Sequence, residues 1–356
     1  MAANDPVSPP LVSIIVPARN EESSLADCLQ SLVAQSGVAF EIIVVDDGST
    51  DRTRAIAESF FAAQVIDPPP LPSGWTGKNN AVTAGARAAR AEWLLFTDAD
   101  TVHLPGSLSR ALQEAKAHGA ALLSYSPEQI VNSFWEKAVM PVIFAELAAA
   151  YRPSKVSDPA SPAAAANGQY ILVSREAYTA VGGHAAIAGS LLEDVALARA
   201  VKRSGRKIFF RYGADIVRTR MYRSFAQLRE GWTKNLALLF PSPVRLAAMW
   251  ASEFLLIVAS AAISLAAATR QNWISALAVG ILAATLYTFF LVRIRRANFR
   301  WDANILSLFG LPVAAGLVLK SWSGHRQGRI TWKERSYQTA NPQPAEGNRK
   351  TARQVS

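Results

Sequence analysis

Three short, unbroken apolar runs punctuate the first hundred positions: "LVSIIVP" at 11–17, "EIIVVDD" at 41–47 and "EWLLFTD" at 92–98. A weaker run lies at Ala63–Ile66. Strands that are apolar on both faces belong to a sheet covered on both sides, which predicts a parallel arrangement. Between them, apolar residues recur at helical spacing over Glu22–Gln35, Asp51–Ala62 and Asn80–Ala91. This alternation predicts an α/β, doubly wound, Rossmann-like layout. In such sheets ligands bind beyond the carboxyl ends of the strands.

The polar residues cluster at those ends. Arg19-Asn20-Glu21 follow the first strand, Asp46, Asp47, Gly48 and Ser49 the second, Asp98 and Asp100 the third. Helix capping explains Ser49-Thr50-Asp51 well. It explains Asp98 and Asp100 poorly, because the next helix starts later, near Pro105. Side chains two apart in an extended stretch point to one side. Two carboxylates so placed make a hard-oxygen site for Mg²⁺ or Mn²⁺, whose remaining positions go to substrate phosphate and water. Solvated loops often carry such a triplet; its position after an apolar strand gives it weight. A second acidic pair, Glu193-Asp194, opens a helix running to Arg203 and ended by Gly205. Leu191, Leu192, Val195, Leu197 and Val201 give that helix its buried side. Two readings fit the pair: compensation of the helix dipole, and a general base for an acceptor hydroxyl.

Residues 67–77 form a Pro/Gly loop and 153–166 a small-residue loop. Between them Asn132–Arg152 reads as a helix too short in its apolar part to span a bilayer, and interfacial and core placements fit equally. The last third changes character. Met249–Thr269 carries Glu253 as its one charge and Trp273–Val292 carries none. At about 1.5 Å per residue each reaches roughly 30 Å, enough to cross the hydrocarbon. The short join makes them a helical hairpin. Glu253 reads either as an interface-level charge, the preferred reading, or as a group facing protein. A third stretch, Ile305–Leu319, is shorter and carries "FGLP", and is read as broken or re-entrant, with a short span as the alternative.

Charge sharpens this picture. Lys+Arg and Asp+Glu balance over residues 1–240, so the whole net charge of +10 lies after them. Arg293, Arg295, Arg296 and Arg300 follow the second span and place that end, and the catalytic region, on the cytoplasmic side. A basic end beside apolar helices points to a bilayer surface and not to nucleic acid. One cysteine, Cys28, falls within a helix, so no disulfide framework or thiolate metal site is expected. "MAANDPVSPP" has no basic start or apolar core, and no signal peptide is expected. The organisation expected is a cytoplasmic catalytic domain over 1–240 and a membrane region over 241–322. A basic, disordered tail is expected over 323–356.

"VSIIVPARNEE", "VVDDGSTD", "FTDADT", "NGQYILVSREAYTAVGGH" and "LLEDVALA" occur in the order seen in membrane-bound family 2 glycosyltransferases of the GT-A fold. The chain resembles that family over residues 11–240. "LPSGWTGKNNA", "MYRS" and "GWTKN" resemble a narrower branch, the hopanoid-associated and carotenoid (diaponeurosporenoate) glycosyltransferases, with ceramide glucosyltransferase a more distant likeness. The resemblance implies that Pro17, Asn20, Glu21, Asp46 and Asp47 line the nucleotide pocket and that Lys78 approaches the sugar or diphosphate. It implies that Asp98 contacts ribose or the metal, that Asp100 is the direct ligand of Mg²⁺ or Mn²⁺, and that Asp194 is the base. Asn167, Gly168, Gln169, Glu193 and His184 would lie where acceptor and donor sugar meet. A purely structural role for His184 is the preferred alternative. Processive members carry Gln-x-x-Arg-Trp. Here "QLREGW" spaces Gln227 and Trp232 differently and puts no arginine before the tryptophan. Arg229 and Trp232 remain candidates beside the diphosphate.

The expected activity is therefore inverting, metal-dependent transfer of one sugar from a nucleotide sugar, a UDP-hexose, to a membrane lipid such as a hopanoid, carotenoid or polyprenol. A processive polysaccharide synthase and a non-catalytic membrane scaffold are the alternatives. Too few spans for a channel argue against the first, and retention of Asp47, Asp98, Asp100 and Asp194 together argues against the second.

Overall fold

The computed structural model describes residues 9–332 and 335–337, so most of the expected basic tail lies outside the described residues. Backbone contacts divide the chain into two units, residues 1–133 with 144–223, and residues 134–143 with 224–356.

The first unit opens with β1 (Val12–Ala18), α1 (Leu25–Val33), β2 (Phe40–Asp46), α2 (Thr53–Glu58) and β3 (Ala63–Ile66). It continues through α3 (Gly77–Ala88), β4 (Trp93–Phe96), β5 (Thr101–His103), α4 (Ser107–His118), β6 (Leu122–Ser126) and β7 (Glu128–Gln129). Helix α5 (Phe134–Ala150) has its first part in the second unit. Then come α6 (Pro153–Val156), β8 (Ile171–Ser174), α7 (Arg175–Ala180), α8 (Glu193–Arg203), β9 (Ile208–Tyr212) and β10 (Val217–Thr219). Seven strands form the main sheet in the order β3-β2-β1-β4-β8-β6-β9. Alternation along β1 splits the core. Val12, Ile14 and Val16 pack with Leu25, Leu29 and Leu32 of α1 on one face. Ile15 packs on the other face with α3 and α8. Gly85 of α3 lies so close to β1 that a Cβ there would stand 2.4 Å from Ile15 Cγ2.

The wholly parallel sheet expected from the apolar runs is corrected in one place. β8 runs antiparallel to both β4 and β6. Two-sided burial predicts apolar strands whatever their direction, so the pattern carries no information on this point. β1, β2 and β4 are parallel neighbours, so their carboxyl ends share one edge.

The second unit holds α9 (Phe225–Leu239), α10 (Pro243–Thr269), α11 (Trp273–Ile294), α12 (Trp301–Leu306), α13 (Gly310–Arg326) and a hairpin of β11 (Ile330–Trp332) with β12 (Arg335–Tyr337). The first apolar helix starts at Pro243, earlier than Met249, because Pro suits the first turn and no breaker stands between the two. Glu253 forms an ion pair with Arg293 across the α10–α11 hairpin, so it faces protein. The third apolar stretch is part of a longer helical run, Trp301–Arg326, and among the described residues three such segments are long and apolar enough to cross a membrane. Half of the third is buried in protein, against 22% and 17% of the first two. In α5, Ala138, Val139, Met140, Val142 and Ile143 are buried. That burial fits the core placement, while Phe134 and Trp135 at the start of the helix are exposed.

Candidate active site

The edge formed by β1, β2 and β4 is braced by its own polar residues. Asn20 sits in the left-handed region at φ +52°. Its N–H donates to Ser49 Oγ (3.0 Å) and its Oδ1 accepts from the Thr50 N–H (2.9 Å), joining the β1 and β2 loops. Asp46 is buried, accepts from the Ser49 N–H (3.2 Å) and pairs with Arg54 at 3.6 Å. Asp47 is also buried, and its carbonyl accepts from Arg19 Nη1 (2.6 Å). The Glu21 N–H donates to Thr53 Oγ1 (2.7 Å).

Asp98 and Asp100 do not lie in an extended stretch. The Thr101 N–H and Oγ1 both donate to the Asp98 carbonyl (3.3 and 2.7 Å), closing a turn. Ala99 is buried, and Asp98 and Asp100 flank it, each partly exposed on the rim. Thr101 supplies the hydroxyl that makes the turn, and it stands in the "DADT" of the sequence. Among the described residues no three His, Cys, Asp or Glu gather into a ready-made metal cage. A Mg²⁺ or Mn²⁺ held partly by phosphate needs only one or two carboxylates, and two half-exposed ones fit that requirement.

A cation from the protein itself meets these carboxylates. Lys78 Nζ lies 2.7 Å from Asp98 Oδ1 and 2.7 Å from Glu193 Oε1. Burial alone would depress this ammonium, but the two carboxylates hold its pKa well above the ordinary lysine value. Helix α3 explains its position. Thr76 caps the helix, its side chain accepting from the Asn79 N–H at 3.1 Å, so Lys78 sits in the first turn. Asn79 is wholly buried, and its Nδ2 donates to the carbonyls of Ile187, Ala188 and Ser190 (3.1, 2.8 and 3.0 Å). That amide pins the segment leading into α8. Asn80 holds Pro69 of the proline loop in the same way (2.7 Å). Helical spacing counted from Asn80 onward singles out neither asparagine, because it misses the first turn of the helix. The Thr76 cap is the sequence signal that finds them.

Asp194 lies beside this pair. Its Oδ2 accepts from the Gly168 N–H (3.0 Å) and its Oδ1 from the Val195 N–H (2.7 Å). Burial first, then the charge of Glu193, push its pKa up to about 6, against the lowering effects of Lys78 and the two N–H groups. Gly168 admits this approach: a Cβ there would stand 3.1 Å from Lys78 Nζ and 3.4 Å from Glu193 Oε1. Asn167 shapes the turn, its Oδ1 accepting from the Gln169 N–H (3.0 Å). Gln169 points inward to Thr219 Oγ1 (3.1 Å), which in turn donates to the Asp100 carbonyl (3.1 Å). It therefore braces the Asp100 turn.

Pro17, Lys78, Asp98, Gly168, His184 and Glu193 line a single small cleft. His184 is buried, its ring edge-on to Phe96 and its Nδ1 3.0 Å from the Tyr178 hydroxyl. Burial drops its pKa to about 4, so it is neutral near pH 7. Cys28 is buried, and burial pushes its thiol pKa up. Two expected residues stand in the other unit, on α9. Arg229 is exposed, and Trp232 is buried with its indole N–H on Met140 Sδ (3.4 Å).

Residues 13–174 match the model of glycosyl transferase family 2. These residues form a family 2 glycosyltransferase domain. The chain is 28% identical over 343 residues to the 4,4'-diaponeurosporenoate glycosyltransferase of Staphylococcus aureus strain MRSA252, a match covering 93% of this chain and 89% of that one. The same enzyme from strain USA300 is 27% identical over 345 residues, with the same coverage. Among solved structures, a mannosyltransferase from Pyrobaculum calidifontis, in complex with GDP-Man and Mn²⁺, superposes with a TM-score of 0.52 at 17% identity. That match covers 90% of this chain and 88% of the other. This glycosyltransferase thus has a GT-A-like mixed α/β domain followed by long apolar helices.

Proposed function

We propose that this glycosyltransferase moves a single hexose, with inversion, from a UDP-sugar to a membrane lipid at the cytoplasmic face of the cell membrane. The observation that carries the reading is the placement of Asp194. It is held by two N–H groups at the edge of the Lys78–Asp98 cleft, with its pKa raised to about 6. Such a carboxylate is ionised near neutrality yet basic enough to accept a proton. Asp194 takes the proton of an acceptor hydroxyl as its oxygen attacks the sugar C1 in line, and the C1–O bond to the diphosphate breaks. With a carboxylate acceptor there is no proton to remove, and Asp194 orients it.

Asp98 and Asp100 would hold the divalent cation, which supplies charge neutralisation at the departing diphosphate. Lys78 adds a second positive charge there, exchanging its carboxylate partners for phosphate oxygens. Pro17, Asn20, Glu21, Asp46 and Asp47 form the nucleotide end of the rim. Glu193, with Asn167 and Gly168, stands at the acceptor end, and Gln169 braces the Asp100 turn behind it. The apolar hairpin and the carotenoid substrate in the relatives' name support a lipid acceptor.

The test is UDP release from UDP-sugars in detergent, with Mg²⁺ or Mn²⁺ and a lipid extract, for wild type and Asp194→Asn. A general base contributes about 10²–10⁴-fold, so the variant should lose that much in kcat with little change in KM for the donor. Equal release by both proteins would remove Asp194 from the chemistry. Mass spectrometry of the lipid product identifies sugar and acceptor.

A further inference from the structure

We infer that the third apolar segment, Trp301–Arg326, does not cross the bilayer. It enters and leaves on the face where α10 begins, leaving two spans. The inference rests on reading α10 and α11 as spans, and every contact that carries it lies within the second unit.

Because α10 and α11 are an antiparallel hairpin, the start of α10 and the end of α11 share one face. The segment begins on that face, seven residues after α11 ends at Ile294. Its first turn is tied to α5, with Asp302 Oδ2 2.7 Å from Lys137 Nζ. Ile305 has already descended along α11, and its carbonyl accepts from the Tyr287 hydroxyl (3.3 Å). Tyr287 stands two turns before the end of that helix, about 10 Å down at 1.5 Å per residue.

The backbone breaks at this depth. Ser307–Phe309 is a 3₁₀ turn, and Gly310 meets α5 so closely that a Cβ would lie 1.8 Å from the Ala138 carbonyl. Irregular backbone at membrane depth is tolerated where protein buries it, and Ser307 is wholly buried.

The far end then returns. The Ala237 N–H donates to Ser321 Oγ (2.9 Å), and His325 Nε2 lies 2.8 Å from the Lys234 carbonyl. Lys234 and Ala237 are on α9, which ends at Leu239, just before α10 starts at Pro243. α9 has 15 residues and carries Arg229, Glu230 and Lys234. It spans about 22 Å at 1.5 Å per residue, too short and too charged to carry the chain across. The end of α13 is therefore on the face where α10 begins, and a crossing would have left it at the hairpin tip, beside Arg270. The charge pattern agrees. Arg326 and Arg329 join Arg293, Arg295, Arg296 and Arg300 on one side, whereas a third span would divide them.

The full chain in intact cells tests this with a membrane-impermeant maleimide, applied before and after permeabilisation. Arg270→Cys and Gln327→Cys, both at exposed positions, should label on opposite sides, one in intact cells and the other only after permeabilisation. Labelling of both on the same side would overturn the inference. Thr269→Cys and Arg329→Cys repeat the pair at independent exposed sites, so one misfolded variant does not decide the outcome. The readout is independent of sugar transfer, and it compares the two sites with each other. An inactive enzyme or an inverted orientation would contradict the proposed function and leave this inference standing.

Discussion

Ile14 and Ile15 in β1 are wholly buried, whereas Ile274 on α11 is 85% exposed and Leu277 is 68% exposed. The same residue type thus does opposite things in the two units. In the first, apolar side chains are hidden on both faces of a sheet, and acidic residues gather where β1, β2 and β4 end. In the second, apolar side chains turn outward along two long helices, and the charges pair inward, as Glu253 does with Arg293. The difference is the one expected if the second unit meets hydrocarbon, as its long apolar helices suggest. Water drives apolar area inward at roughly 25 cal/mol per Å², while hydrocarbon exerts no such force between helices.

The sharpest break of this comparison is a matched pair of truncations. Ile15→Ala removes a fully buried side chain between β1 and α3, and should cost about 2–5 kcal/mol of unfolding free energy. Thermal unfolding of the detergent-solubilised protein reads it.

Electrostatics at the strand ends comes next. Lys78→Met leaves Asp98 and Glu193 facing each other without their ammonium and removes a charge from the diphosphate. Turnover should fall about 10²-fold, the scale of one lost electrostatic stabiliser, and steady-state kinetics of UDP release measures it. Unchanged kinetics would show that Lys78 only holds the empty cleft together.

A pH series gives a smaller, signed effect. The Asp194 pKa is raised from its ordinary value of 3.8 to about 6 in the fold. The folded state therefore binds the proton more tightly than the unfolded state. This contribution to stability is fully present below about 4 and is lost as pH rises through about 6. Activity runs the other way and rises through about 6 as the base ionises. Buried His184, with its pKa near 4, and His103, near 3, add no step at neutral pH. Rate and melting temperature against pH should cross in this manner, and Asp194→Asn should flatten both.

The smallest effect completes the matched pair. Leu277→Ala on the exposed side of α11 should change thermal stability by less than about 1 kcal/mol, because the residue is 68% exposed and buries little in protein. A loss as large as that at Ile15 would mean that another protein surface covers α11.

Much of this contrast is legible in the order of residues alone. Asp46, Asp47 and Asp98 follow apolar runs closely enough that a parallel arrangement brings them to one rim, and β1, β2 and β4 do lie side by side. The Asp98–Asp100 geometry is not legible there. An extended chain and a turn closed by Thr101 have the same spacing in sequence, and the hydroxyl decides between them. Arg229 and Trp232 suggest a diphosphate contact by charge and ring alone, and the indole proves to be packing against Met140.

Local pattern, then, determined what local physics governs. Strand runs, helix periods, the acidic strand ends and the length of the apolar hairpin all follow from side-chain period and transfer energy along a few residues. Only the tertiary structure decided which distant groups meet. It runs β8 against its neighbours, sets Lys78 between Asp98 and Glu193, and lifts the Asp194 pKa by burial beside a like charge. It also ties Ser321 and His325 back to α9. Each of these depends on contacts between residues far apart in the chain, whose energies no sequence window contains.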